Sequence, residues 1–541
     1  MFISFPRFSA VCSLSLQFAD QVFNVCTLTQ KSNLKRLNSC RRKSTKMAAM
    51  AYKLAINSNL NTNGLLSPPP NKLQSHLLPS NKKICGRRIL ASPPLSLIRS
   101  KKSWHGSLRL SNLSQSSASN SFDVVIVGAG IIGLTIARHL LLASDLSVAL
   151  VDAAVPCSGA TGAGQGYIWK AHKSPGTEKW ELMMRSHQLW ESLAKSIQLQ
   201  GMDPVEVLGW KKTGSLLVSK TTDESSILKR RVEELSQEGL RAEFLSSNDL
   251  LSEEPELVLD KEGGAAFFPD DYQLDAHRTV AFIEKGNRHF AVEGRYAEFY
   301  HEPAIGLVRH GNSCEVGAIQ TSKNTLHSKK AVVIAAGCWT GSLMHDLIKQ
   351  PDIELNLPIK PRKGHLLVIE NFKSFKLNHG IMEAGYTKHQ SATLKATASD
   401  SGPVYNAQDL SVSMTATMDA SGNLVLGSSR QLVGFNTEVD ESVINHIWKR
   451  VGEFIPALRH ESLEDLRQSR EVRVGLRPYI PDGKPVIGLV PGFSNVFLAA
   501  GHEGEGLSLA LGTAEMIADM VLGNPSIVDA APFALLGRCF H

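Results

Sequence analysis

Between residues 121 and 151 the apolar positions come in blocks. Phe122–Val127 is a strand-length run interrupted only by Asp123, Leu134–Leu142 carries apolar residues at helical spacing, and Ser147–Val151 is a second strand ending in Asp152. Strands apolar on both faces belong in a parallel sheet covered by helices. Further on the spacing predicts helices over Lys179–Gln198, Asp223–Glu238 and the stretch leading to Arg288, and an alternating strand over residues 214–219. Strands are also predicted at Ala304–Arg309, Cys314–Thr321 and Ala331–Ala336, the last running into Ala335-Ala336-Gly337-Cys338-Trp339.

From Pro358 to about Arg473 the pattern becomes amphipathic β. Pro361-Arg362-Lys363-Gly364-His365 opens a strand, and Ser411–Met418 and Asn423–Ser428 read as a hairpin across Asp419-Ala-Ser-Gly422. Phe372–Ala407 is long, polar and poorly periodic, which reads either as a lid or as a surface insertion. A helix over Glu441–Phe454 and a closing segment over Val496–Leu522 complete the chain, with no internal repeat.

Charge divides the 541 residues unequally. Residues 1–120 hold 18 of the 58 basic side chains but only one acid, Asp20, whereas the rest carries 40 basic and 50 acidic residues. The overall charge of +7 is therefore +17 in the leader and −10 in the body, and it gives no ground for nucleic-acid binding. A basic, Ser- and Asn-rich, acid-poor leader with Pro68-Pro69-Pro70 and Pro93-Pro94 has the composition of an organelle transit peptide read by the plastid import machinery. The mitochondrion is the second choice. Met47-Ala-Ala-Met50 is an alternative start with the same composition after it. No apolar run reaches the ~20 residues of a membrane helix. Eight scattered cysteines without a Cys-x-x-Cys pair indicate neither zinc nor a disulfide framework.

The candidate chemistry lies in two glycine-rich turns. Gly128, Gly130 and Gly133, between a strand and a helix, suit a dinucleotide pyrophosphate: tight turn, close backbone approach, close helix packing. Asp152 at the end of the second strand is placed to accept from ribose hydroxyls. The small-residue loop Cys157–Gly166 contributes Thr161, Gly164, Gln165 and Gly166 as ligand-facing candidates. Near the other end, Gly475-Leu-Arg477-Pro478-Tyr479 precedes Ala500-Gly501-His502-Glu-Gly504-Glu505-Gly506-Leu507, a second glycine turn opening a helix.

Together these stretches resemble the D-amino-acid oxidase superfamily of FAD enzymes, on its glycine oxidase and D-amino-acid dehydrogenase side. The resemblance covers residues 121–525. It implies an α/β protein (α+β overall) in which a discontinuous, Rossmann-like FAD-binding domain carries a mixed or antiparallel β-sheet substrate domain. The boundaries read as 121–210, 263–350 and 474–541 for the first and 211–262 and 351–473 for the second.

For the cofactor the resemblance implies Gly128, Gly130, Ile132, Gly133, Asp152, Thr161, Gly164, Gln165, Gly166, Gly337, Gly501, His502, Gly504, Glu505, Gly506 and Leu507. Glu505 stands where relatives carry an apolar residue, so it is expected to gate the site, meet a substrate ammonium or face solvent. Arg477 would clamp a substrate carboxylate through its two-pronged guanidinium, with Tyr479, His365, Tyr272 and Trp339 as further candidates for the pocket. Residues 470–485 contain no cysteine, so the FAD is expected to be non-covalent. The implied reaction is oxidation of the C–N bond of a small amino acid or N-substituted amino acid, with O2 or another carrier as acceptor. The alternatives are a D-amino-acid or opine-type dehydrogenase and a flavin-containing organelle assembly factor.

Overall fold

The computed structural model describes residues 120–538, apart from 310, 312–313, 349–354, 356 and 387–409. The leader and residues 387–407 of the long polar segment lie outside the described residues.

Two eight-stranded sheets organise the chain. The first has a parallel centre in the order Val496–Ala500, Thr325–Ile334, Ser121–Val127, Val148–Val151 and Tyr296–Phe299. Val486–Leu489 joins one edge antiparallel, and Ala304–Arg309 and Val316–Thr321 extend Thr325–Ile334 as a meander. Val124, Val125 and Ile126 are fully buried, as expected of strands covered on both faces. The helices Ile131–Ala143 and Gly506–Leu522 lie together on one face, with the Thr135 hydroxyl donating to the Ala510 carbonyl at 3.3 Å. Glu178–Leu199 crosses Gly506–Leu522 at Gly512, where a Cβ would meet Leu182 Cδ1 at 2.9 Å. Trp190 Nε1 donates to the Leu507 carbonyl at 3.0 Å, which fixes the first turn of the C-terminal helix.

The second sheet runs Arg470–Tyr479, Lys360–Ile369, Leu424–Arg430, Ser411–Met418, Gly380–Glu383, Ser215–Ser219, Gly264–Phe268 and Glu243–Ser246. Its pairs are antiparallel except for Gly380–Glu383 against Ser215–Ser219. The helix Glu441–Gly452 buries Val443, Ile444, Ile447 and Val451 in the apolar cluster on this sheet.

The sheets divide the chain differently from the boundaries read from the sequence. Gly264–Phe268 is a strand of the second sheet, held between Ser215–Ser219 and Glu243–Ser246, although residue 263 was expected to begin a return to the first. Arg470–Tyr479 pairs over its full length with Lys360–Ile369, so the Gly-Leu-Arg-Pro stretch also belongs to the second sheet. A ten-residue antiparallel ladder cannot be cut at 474 without orphaning its amides.

Candidate functional site

A cavity of about 480 Å³ lies between the two sheets and is walled by the turns that the sequence singled out. Gly128 sits at φ +114, and a Cβ there would stand 2.3 Å from the Ala335 carbonyl oxygen; only glycine fits. Gly130 is the N-cap of Ile131–Ala143 and offers no side chain to the first-turn amides. Gly130, Ile131 and Ile132 line the cavity at this helix start, a setting that suits phosphate oxygens. Thr161 Oγ1 accepts from Ile131 N at 3.2 Å and so ties the small-residue loop to this helix start. Gly164, Gln165, Gly166 and Gly337 also line the cavity.

Asp152 lies in the wall with both oxygens engaged. Oδ2 accepts from Ala129 N at 2.6 Å and Oδ1 from Ala154 N at 2.7 Å. The carboxylate is thus fixed in orientation while each oxygen keeps further acceptor capacity. At the other turn, His502, Gly504, Gly506 and Leu507 line the cavity. The 17-residue helix Gly506–Leu522 starts there without a side-chain cap, presenting its positive end. His502 bonds Thr513 Oγ1 through Nε2 at 3.0 Å, and burial pushes its pKa down to about 4, so it is neutral at pH 7.

Several expected site residues take other roles. Gly133 and Gly501 are not in the cavity wall. A Cβ on Gly133 would be 1.9 Å from the Gly128 carbonyl oxygen, so this glycine closes the turn onto the helix, while Gly501 provides a turn at φ +79. Glu505 points away from the cavity: its carboxylate is buried between Lys173 and Lys179, the latter 3.0 Å away. Burial alone would raise its pKa, but the two ammonium groups outweigh this and hold it well below the usual carboxylate range. It is neither a gate nor a solvent-facing residue; it anchors the start of the C-terminal helix to the segment after Tyr167–Ile168.

His365 is withdrawn from catalysis as well. Its ring nitrogens are engaged by Asp440 N, which donates to Nε2 at 3.3 Å, and by Ser429 Oγ, 3.0 Å from Nδ1, on the face away from the cavity. Strand alternation explains this: Arg362 and Gly364 share one face of Lys360–Ile369, Lys363 and His365 the other. Tyr479 stacks under Arg362, whose Cζ is 5.1 Å from its ring, and Tyr272 packs on Trp210. Trp339 does line the cavity, half-exposed, with its ring stacked on Phe435.

Arg477 projects into the cavity from the edge strand, opposite Arg362 in register. Room for it comes from Gly364, where a Cβ would lie 2.2 Å from Arg477 Nη1. Its Nη1 donates to the Ser429 carbonyl at 2.9 Å, and among the described residues it forms no ion pair with a carboxylate. Near it are residues that sequence reasoning left without a role. Glu503 lines the cavity and pairs with Arg362 at 2.5 Å. Tyr386 also lines the cavity, and the guanidinium of Arg430 lies 3.9 Å from its ring centroid. Burial would raise the Tyr386 pKa, but Arg430 and Arg477 outweigh it, so the phenol sits below its ordinary value. Glu503 and Arg362 stand in quoted motifs, whereas nothing in the aperiodic segment around Tyr386 marked it.

Cys157 and Cys338 also line the cavity, outside the cysteine-free segment 470–485. Burial pushes both thiols up to about 12, so they are protonated and poor nucleophiles. Among the described residues no group of acidic, His and Cys side chains could hold a metal, and no helix is long and apolar enough to cross a membrane.

Residues 123–520 match the family model described as FAD dependent oxidoreductase. Glycine oxidase of Pseudomonas aeruginosa is 27% identical over 429 residues, covering 77% of this chain and 99% of that protein. D-amino acid dehydrogenase of Neisseria gonorrhoeae is 26% identical over 334 residues, covering 60% of this chain and 67% of that protein. The crystal structure of glycine oxidase from Geobacillus kaustophilus superposes with a TM-score of 0.62 at 22% identity, over 77% of this chain and 99% of that one.

Proposed function

Because this chain belongs to the FAD-dependent oxidoreductase family and is an oxidoreductase that uses FAD, we propose that it oxidises the C–N bond of a small amino acid or N-substituted amino acid. The observation that carries this reading is Arg477, a guanidinium in the cavity wall with a carbonyl partner but no carboxylate among the described residues. A cation so placed is suited to a ligand carboxylate. The names of the relatives, glycine oxidase and D-amino acid dehydrogenase, support the same class.

The residues present fit FAD. Gly128 and Gly130, at the start of Ile131–Ala143, would hold the pyrophosphate, Asp152 the ribose, and the start of Gly506–Leu522 the polar edge of the ring. Cys157 and Cys338, whose thiols burial keeps protonated, offer no ready nucleophile for the ring, which supports the expectation of non-covalent FAD. When bound, FAD supplies a two-electron acceptor for the hydride leaving the substrate α-carbon. Arg477, with its guanidinium steadied by Ser429, fixes the carboxylate and hence the direction of the α C–H bond. His502, neutral and bonded to Thr513, keeps the helix start in place without adding charge. The ammonium form first gives a proton to solvent. Hydride loss from the resulting neutral amine leaves an iminium ion, which sheds a proton to the imine. Water converts that to an oxo acid or aldehyde and ammonia or an amine.

The test is an anaerobic screen of small amino and N-methylamino acids, following loss of the oxidised-flavin absorbance. At least one should bleach the flavin, whereas bleaching only by simple amines would overturn the reading. Admitting air then identifies the acceptor: reoxidation in seconds marks O2, in minutes another carrier.

A plastid location is part of the proposal, supported by the 18 basic residues and single acid of residues 1–120. Fusions of residues 1–120 and 47–120 to a fluorescent protein should both enter plastids; cytosolic fluorescence from both would remove it.

A further inference from the structure

We propose that Glu503 binds the nitrogen end of the substrate, so that the site selects zwitterions held at both ends, carboxylate on Arg477 and ammonium on Glu503. This rests on the amino-acid reading above and names its missing half.

Among the described residues three carboxylates line the cavity: Asp152, Asp346 and Glu503. Asp152 is committed to the amides of Ala129 and Ala154 at the first glycine turn. Asp346 lies on the helix Thr340–Leu347 with its side chain three-quarters exposed. Glu503 alone of the three stands at the Arg477 end. Its neighbour Gly504 lies beside Arg477, where a Cβ would make ordinary contact with Arg477 Cδ and Nε at 3.8 Å.

The glutamate is built in. Its Oε1 accepts from Arg362 Nη1 at 2.5 Å, while its Oε2 has no hydrogen-bond partner among the described residues. Arg362 is held in turn by the Tyr479 ring and by its place opposite Arg477 on the strand pair. One oxygen is therefore fixed and the other is free for a donor.

The backbone argues in the same direction. Glu503 sits at φ +48, a left-handed conformation that non-glycine residues seldom adopt. It lies between the glycines 501 and 504 in a turn where glycine would be the unstrained choice. A side chain kept at such a position calls for a role beyond the turn itself. Electrostatics supply one. Arg362, Arg430 and Arg477 gather around Tyr386 and Glu503, and three guanidiniums would attract a carboxylate but repel an ammonium. Glu503 offsets one of them in the cavity wall near Arg477.

The experiment uses the full FAD-loaded protein and matched ligands that differ only at nitrogen, glycine against glycolate and D-alanine against D-lactate. Binding is read from perturbation or anaerobic bleaching of the flavin spectrum for wild type, Glu503→Asp, Glu503→Asn and Glu503→Gln. Asp and Asn both tolerate a left-handed backbone and differ from each other in charge. Wild type should prefer the amino acid of a pair by about tenfold or more. Glu503→Asp should keep part of that preference, while Glu503→Asn and Glu503→Gln should lose it with glycolate and lactate affinity within about threefold of wild type. Retention of the preference in Glu503→Asn would overturn the proposal, as would loss of FAD from both Asn and Gln variants, which would make the Arg362 pair structural. If no amino acid binds or bleaches wild type, the amino-acid reading itself fails, and a wild-type response lost equally for both ligands of a pair would show that Glu503 does not discriminate nitrogen.

Discussion

The two ends of the cavity are built from different materials. The end proposed for the dinucleotide is made of backbone: Gly128 against Ala335, Gly133 against Gly128, and the uncapped starts of Ile131–Ala143 and Gly506–Leu522. The end proposed for the substrate is made of side chains, with Arg477 from an edge strand, Glu503 from a turn and held by Arg362, and Tyr386 over Arg430. Backbone donors carry no net charge and cannot be exchanged by mutation, so that end is strict about shape. Charged side chains are exchangeable one at a time, so the other end sets which small molecule is accepted. The two ends should therefore fail in different ways when altered.

The largest effect is expected behind the backbone end, at Glu505. Glu505→Gln leaves Lys173 and Lys179 buried together without their anion, and breaking such a pair costs ~3–5 kcal/mol. Thermal unfolding should drop accordingly and FAD should be released more readily, because the helix start facing the cavity loses its anchor. The pH dependence has a definite sign. The folded-state pKa of Glu505 lies below its ordinary value, so its contribution is complete at neutral pH and is lost as pH falls below the unfolded value of about 4.3. The stability gap between wild type and Glu505→Gln should be flat near pH 7 and narrow only in acid. A gap that widened in acid would mean that the carboxylate is not held by the lysines.

Arg477→Ala is next, and its effect should fall on ligands alone. Removing a guanidinium that pairs with a bound carboxylate costs ~2–5 kcal/mol of binding. Arg477→Lys keeps the charge but loses the two-pronged geometry, so ~1.5–3 kcal/mol is expected, about 10- to 150-fold in kcat/KM. FAD content should stay near wild type in both. Loss of flavin from either variant would erase the distinction between the two ends and make Arg477 structural.

Gly133→Ala should give the smallest of the three energies and the opposite signature. The added methyl would sit 1.9 Å from the Gly128 carbonyl, and overpacking of this kind costs ~1–3 kcal/mol as the turn shifts. The apoprotein should fold, and its affinity for added FAD should fall about tenfold or more, measured by quenching of flavin fluorescence. Unchanged FAD affinity would show that the turn can move without disturbing the site.

Much of the backbone end was legible from the sequence, because its requirements are local. A positive φ, a contact between residues five apart and a helix start following a strand all leave their mark within a dozen residues, as at Gly128, Gly130 and Gly133. Arg477 was legible too, through the short motif around it, and so were the hairpin at Asp419–Gly422 and the helices at Glu178–Leu199 and Gly506–Leu522. The sheet to which Gly264–Phe268 belongs was not, since a short strand carries no statement of its partner.

What only the tertiary structure decided is where the polar side chains point and whom they meet. Glu505 and Glu503 are two residues apart, yet one is buried against Lys173 and Lys179 and the other lines the cavity beside Arg362. His365 and Arg362 lie on one strand but on opposite faces of it. Their partners are brought in from more than 60 and as many as 332 positions away in the chain, and such pairings are set by the packing of the sheets. Backbone conformation is dictated by each residue's own sterics, so sequence alone fixed the glycine turns; charge pairing depends on distance in space, and only the folded chain supplies that.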